Sequence, residues 1–415
     1  MKKVVKRLLY IALSLFLIAC STFIYKKFFA PSLRLITPPV FTINLDLVPE
    51  KRWESAIQEM GIDLILLFDQ TIVPVLNQIR PKIQPYLAKL MASSLLPDEY
   101  KRELRGIVQS LHKRAGSELK NITYENLFML TLAYEGVISC LAGVVVGNSG
   151  SPYLFRNLDW PVALLRKITV TINWYKHGNF LFTTAGFPFV LSVVTGQRHG
   201  AFALAVNARR TFDYSVEQNM QNYLNAPINV WSIGILMRYA LEYIRDYHDA
   251  YVLFKSAKLM APVYITVAGI KTNEGIILAR GKERVLLKDK IDNWLYYYPR
   301  SGKPVNPSNN KSPIIVDPKH AQTRYIIVSN CDNNYSLVNQ IDDKKKFLNE
   351  KACGQQSPEY RRNSALISCC LLTSDFSVDD LFNGVLLRSP VRNKCIVYAT
   401  VMCPQNAICK SYSVW

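Results

Sequence analysis

The sequence predicts an α+β fold, with its helices segregated from a run of antiparallel strands. Three observations carry that prediction. Residues 54–135 are patterned mostly as helices. From Cys140 onward the chain reads as short β-rich runs closed by Gly or Asn. One helical block, "INVWSIGILMRYALEYI" followed by "DAYVLFKSAKLM", interrupts those strands. Strands grouped in this way imply helices packed on sheet faces, not a parallel sheet of alternating units. With 415 residues, 49% of them hydrophobic, the chain can bury a substantial core and is not a disordered one. No repeat of fixed period is visible.

The elements follow in order. Residues 1–30 open with Lys2, Lys3, Lys6 and Arg7, then run apolar from Leu8 to Ala19, the pattern of an export leader. "LIAC" resembles a lipobox ending at Cys20, a candidate lipidation site. The apolar run continues to Tyr25 before Lys26 and Lys27, so a signal anchor is the alternative. Either reading exports the chain: to the periplasm or cell envelope as a lipoprotein, or to a secreted or lysosome-like compartment in a eukaryote. In "PPVFTINLDLVPEKRW", residues 38–53, Phe41, Ile43, Leu45 and Leu47 alternate with Thr42, Asn44 and Asp46, which predicts a half-buried strand. Pro74, Pro81 and Pro85 segment the helices that follow. There Arg80, Lys82 and Lys89 accompany Leu76, Ile79, Ile83 and Leu87; this is either a core-facing helix or a basic surface lying on lipid. Beyond Cys140, strands are expected at "GVVVG", "KITVTINW", "FLFTTAG", "FVLSVVTG", "AFALAVN", "PVYITVAG", "GIILARG", "RYIIVSN" and "KCIVYATVM". Residues 300–323, rich in Pro, Asn and Lys, read as a surface loop.

Charge and cysteine usage narrow the class. The net charge of +19 favours anionic partners. In an exported protein that partner is an acidic membrane surface, not nucleic acid. Of nine cysteines, seven crowd the C-terminal fifth, where some should pair; Cys403 and Cys409 flank Pro404 and are placed to close a small loop. No CxxC pair occurs and the five histidines are scattered, so neither a zinc site nor a cofactor is expected.

Cys140 stands apart from the other cysteines, at the head of a strand. Gly147-Asn148-Ser149-Gly150 marks a turn that would return the chain and bring Arg156 and Asp159 beside the thiol. An arginine stabilises thiolate, the nucleophilic form. No histidine is near in sequence to serve as base. Cleavage of the Ser139–Cys140 bond would supply one: the freed α-amine of Cys140, with a reference pKa of about 7.7–8.0, suits proton transfer near neutrality.

Several stretches resemble the acid ceramidase and N-acylethanolamine acid amidase family over residues 38–415. They are "FTINLDLVPEKRW", "RNLDW" behind the cysteine, "MAPVYITVAG", and the tail "FNGVLLRSPVRNKCIVYATVMCPQNAICKSYSVW". The resemblance implies a four-layer αββα sandwich of the N-terminal nucleophile hydrolase type, made as a precursor that cuts itself between Ser139 and Cys140. After the leader, residues 31–139 would form a mainly helical α fragment and residues 140–415 the catalytic β fragment. It further implies that Cys140 is nucleophile and base, that Arg156 and Asp159 tune it, that Asn330 contributes to the oxyanion hole, and that Arg361 (or the adjacent Arg362) completes the site. The implied substrate is an N-acyl lipid, ceramide first, with N-acylethanolamine or another N-acyl amine as the alternative.

Two departures stand out. The family reads Cys-Thr-Ser where this chain reads Cys140-Leu141-Ala142, and Asn-Glu-Arg where it reads Asn207-Ala208-Arg209. The lost groups raise a rival expectation, a lipid-binding envelope lipoprotein without turnover. A thiol peptidase would instead need His177, His199 or His248 beside Cys140.

Overall fold

A computed structural model describes residues 34–133, 139–209, 216–225, 230–282, 285–290, 324–329 and 358–415. The leader with Cys20, the 300–323 loop, Asn330, Cys331 and Cys353 lie outside the described residues. The strands are β1 (Leu35–Ile36), β2 (Val40–Asn44), β3 (Ser139–Val146), β4 (Pro152–Asp159), β5 (Val170–Lys176), β6 (Asn179–Gly186), β7 (Thr195–Arg198), β8 (Phe202–Ala208), β9 (Val230–Trp231), β10 (Lys258–Leu259), β11 (Val263–Ala268), β12 (Gly275–Arg280), β13 (Val285–Lys290), β14 (Arg324–Val328), β15 (Ile396–Cys403) and β16 (Ile408–Val414). The main helices are α1 (Glu54–Glu59), α2 (Ile62–Ile83), α3 (Leu87–Ala92), α4 (Asp98–Ala115), α5 (Tyr124–Thr131), α6 (Val216–Leu224), α7 (Ile233–Tyr243), α8 (Tyr247–Ser256) and α9 (Pro358–Cys370).

Two large sheets form. One runs β1-β16-β15-β4-β3-β14; the other runs β13-β12-β11-β8-β7-β6-β5-β2. Neighbours in both are antiparallel except β2 with β5. Alternation along each strand sorts side chains between the layers. Ala142, Val144, Val146 and Leu154 of the six-stranded sheet meet Ala203, Ala205, Tyr264 and Ala268 of the eight-stranded sheet. Leu141, Phe155 and Ala399 face the other way, against α9 and a π-helix at Leu381–Leu386. Leu204, Val206, Ile265 and Val267 face the helices of residues 54–131 together with α7 and α8. The order is therefore helix, sheet, sheet, helix, and the fold is the αββα sandwich.

The helices at 76–90 bury Leu76, Ile79, Ile83 and Leu87. The stretch from Ile62 to Ala92 is long and apolar enough to cross a membrane, yet these apolar residues belong to the core above the eight-stranded sheet. The core-facing reading of this segment is the one observed.

Three local expectations change. "FVLSVVTG" yields only the short β7, because residues 189–194 run without strand pairing. The helical block is preceded by β9, which pairs in parallel with β10. Cys403 and Cys409 are not bonded to each other, and neither is in a disulfide. They sit on the β15–β16 hairpin, where Cys403 pairs with Ile408 and Met402 with Cys409. Adjacent register positions put the two thiols on opposite faces, out of bonding reach. Cys395 is disulfide-bonded.

Candidate active site

The Cys140 strand and its return form the expected hairpin. β3 and β4 pair over their whole length, with Cys140 opposite Leu158, Ala142 opposite Arg156, and Ser139 opposite Asp159. Gly150 takes a φ of +74°, the left-handed conformation that closes the turn and that other residues adopt at a cost. The Asn148 backbone N–H donates to the Ser374 carbonyl and anchors the tip.

This register separates two residues expected side by side. Arg156 shares a face with the thiol, and its Nη2 donates to Cys140 Sγ at 2.9 Å. Asp159 occupies the opposite face. There its Oδ2 accepts from Arg361 Nη1 of α9 and, at 3.3 Å, from Asn393 Nδ2. Arg361 also donates to the Val391 carbonyl, through Nη2 at 3.0 Å. All of Cys140, Arg156 and Asp159 are fully buried. The Oδ1 atom of Asp159 is buried without a hydrogen-bond partner. Burial pushes the Asp159 carboxyl above its ordinary range, against the lowering influence of Arg361. Asp159 thus pairs in register with Ser139, its carboxylate turned to the face away from the sulfur.

Other residues complete the thiol's surroundings. Arg156 Nη1 donates to Thr195 Oγ1 at 2.7 Å and to the Val194 carbonyl. Thr195 Oγ1 in turn is 2.9 Å from the Tyr398 hydroxyl. Sequence reasoning missed Thr195 and Tyr398. The one available signal is a tyrosine amid the aliphatic strand "IVYATV". Asn207 faces the six-stranded sheet, and its Nδ2 donates to the carbonyls of Val328 and Ser329 at 3.3 and 3.2 Å. It therefore ties down the end of β14, directly before Asn330.

The departures also fall on particular faces. Leu141 points into the cluster beneath α9, away from the thiol. Ala142 shares the thiol's face, so only the second missing hydroxyl lies on that side. Ala208 alternates with Asn207 and so lies on the face of its sheet turned from the six-stranded one.

An apolar cleft adjoins the thiol. Leu158, the partner of Cys140, and Val194 line it, with Phe68, Ile72 and Leu130 from the helical segment and Phe187 opposite. Its free volume is about 50 Å³, well below the ~150 Å³ of a cavity that admits benzene.

No protein-family model matches the chain. Individual relatives do. The N-acylethanolamine-hydrolyzing acid amidase of Cavia porcellus is 27% identical over 380 residues, covering 88% of this chain and 87% of that protein. The acid ceramidase of Mus musculus is 24% identical over 384 residues, covering 88% and 83%. Among solved structures, the Caenorhabditis elegans N-acylethanolamine-hydrolyzing acid amidase ortholog covers 64% of this chain and 93% of its own, at 23% identity and a TM-score of 0.46. Sequence relatedness that spans 88% of its length makes this chain a homologue of the N-acylethanolamine-hydrolyzing acid amidases and the acid ceramidases.

Proposed function

We propose that the chain is an amide hydrolase of N-acyl lipids that matures by cutting itself between Ser139 and Cys140. The observation that supports this most is the 2.9 Å contact between Arg156 Nη2 and Cys140 Sγ at the head of β3. A guanidinium there favours the thiolate. In maturation the sulfur attacks the Ser139 carbonyl, the C–N bond breaks, and the Cys140 nitrogen takes a proton to become a free amine. Water then hydrolyses the resulting thioester. The new ammonium would emerge on Cys140, one register position from Asp159, whose Oδ1 is buried and unmatched.

In turnover, the α-amine accepts the thiol proton and the sulfur attacks the amide carbon. The α-ammonium then protonates the leaving amine. Water releases the fatty acid from the acyl-thioester. Asn330 is assigned to the oxyanion, where such donors contribute on the order of a few kcal/mol. Arg361 holds Asp159 through their ion pair. Ceramide and N-acylethanolamine are the substrates to compare, since relatives of both names match over most of the chain. Export of the chain and docking on acidic lipid fit the leader and the net charge of +19.

The test is mass spectrometry of the purified protein before and after mild acid incubation, beside Cys140→Ala, followed by assays on both lipids in mixed micelles. Two fragments joining at 139/140, and hydrolysis of either lipid, are expected from the unchanged chain alone. An intact chain that binds both lipids without turnover would favour the second reading, a lipid-binding envelope protein, to which Ala208 is the pointer.

A further inference from the structure

Arg156 holds the sulfur with one end of its guanidinium and is itself held at the other. Nη1 donates to Thr195 Oγ1 at 2.7 Å. Thr195 Oγ1 lies 2.9 Å from the Tyr398 hydroxyl, which donates to the Ala185 carbonyl at 3.1 Å. Counting protons fixes every direction. A guanidinium only donates and a carbonyl only accepts. Tyr398 therefore directs its single proton to Ala185, and Thr195 accepts from Arg156 while donating to Tyr398. Arg156, Thr195 and Tyr398 are all fully buried, so water does not compete for these bonds. The chain crosses the sandwich: β4 and β15 lie in one sheet, β6 and β7 in the other.

We propose that Thr195 and Tyr398 are positioning residues acting through Arg156, their one-way hydrogen-bond chain fixing the guanidinium so that Nη2 faces the Cys140 sulfur. This rests on the reading of Cys140 as nucleophile and deepens it. The chain is a clamp and not a relay: every proton in it is committed toward Ala185, so it passes none to the sulfur. It also reaches the cleft, because Ala185 and Val194 line that cavity. The cleft wall and the orientation of Arg156 are therefore mechanically joined.

The test measures alkylation of Cys140 by iodoacetamide at fixed neutral pH, resolved by mass spectrometry of its peptide, beside kcat and KM on the micellar lipids. Arg156→Met should slow alkylation about tenfold, since it removes the cation held against the sulfur. Thr195→Val and Tyr398→Phe should each slow it about three- to tenfold, with kcat falling in step and KM held. Thr195→Ser, which keeps the hydroxyl, should restore the rate. In the Arg156→Met background Thr195→Val should add nothing, since a residue acting through Arg156 has nothing left to position. Wild-type alkylation in folded Thr195→Val and Tyr398→Phe proteins overturns the proposal. So does a loss in the Arg156→Met background equal to that of Thr195→Val alone. Should the unchanged protein hydrolyse no amide while this alkylation pattern holds, the functional reading fails and the positioning role stands.

Discussion

The molecule buries two arginine assemblies, and they are built to opposite ends. On the outer face of the eight-stranded sheet, Glu103 accepts from Arg52 at 3.0 Å, from Arg238 at 3.1 Å and from Trp53 at 2.7 Å. Arg238 also donates to Glu242, and Arg52 to Glu99. Arg238 Nη1 has no acceptor, but that guanidinium lies 3.9 Å from the Trp174 ring centre. On the six-stranded sheet, Arg156 faces a thiol and Arg361 faces a carboxylate that keeps one oxygen unmatched. In the first assembly charge is neutralised by charge, and the result is cohesion: Arg52, Glu99 and Glu103 precede residue 139, whereas Arg238 and Glu242 follow it. In the second, one carboxylate oxygen stays unmatched beside the strand that carries the proposed nucleophile. A buried arginine is thus no pointer to chemistry by itself; the unsatisfied partner is.

The sharpest way to break the comparison is to delete one centre from each assembly. Cys140→Ala should abolish both the cut at 139/140 and lipid hydrolysis, while changing unfolding stability by about 1 kcal/mol or less, the low end of core substitutions. Glu103→Ala should do the reverse. Two buried guanidinium groups lose their shared partner, at about 3–5 kcal/mol in urea unfolding, and the surviving folded protein still cuts itself. A Glu103→Ala protein of unchanged stability would show that the network contributes no cohesion. A smaller effect sharpens the site's geometry. Leu141→Thr should cost about 2–4 kcal/mol, as removing a buried leucine side chain does, yet leave maturation intact because residue 141 faces away from the sulfur. Loss of the cut in a folded Leu141→Thr protein would contradict that facing.

The smallest effect is in the pH dependence, where the two assemblies should differ in sign. Burial raises Asp159 above its usual value near 3.8. Its charge therefore burdens the folded state above the folded pKa, and the burden fades as pH falls. For Glu99, burial pushes upward but the Arg52 hydrogen bond prevails, leaving it below 4.5. Its contribution is present above 4.5 and is lost as pH falls through the folded pKa; its partial exposure keeps that contribution small. Urea unfolding from about pH 7 to about pH 3 should show the Asp159→Asn deficit, set by the buried Arg361 left without its carboxylate, widening on acidification, while the Glu99→Gln deficit closes. Parallel slopes for the two variants would remove the distinction.

Much of this was legible in the sequence, for reasons that are local. Alternation at Phe41, Ile43 and Leu45 gave β2, and the Gly-Asn-Ser-Gly turn gave the β3–β4 hairpin. Placing Asp159 beside the sulfur went wrong because facing depends on register. Arg156 and Asp159 are three apart, an odd spacing, and a strand sends such residues to opposite faces. The apolar run at 189–194 has a strand's hydrophobicity but lines a cavity, with Val190 and Val194 bordering the cleft. The Arg52–Glu103–Arg238 network was invisible because its members lie 51 and 135 residues apart, and no local pattern records such pairs. Thr195 and Tyr398 likewise meet only across the sandwich.

One of the shortest described strands has the longest reach. Leu35 pairs with Val414, so the first described strand finds its neighbour only in the final one. During synthesis that edge must wait for nearly the entire polypeptide, and contacts so distant along the chain are slow to form. The β15 strand, which carries Tyr398 and flanks β4, is likewise made late. Under the proposed maturation, that lateness would delay self-scission until the last strands have docked.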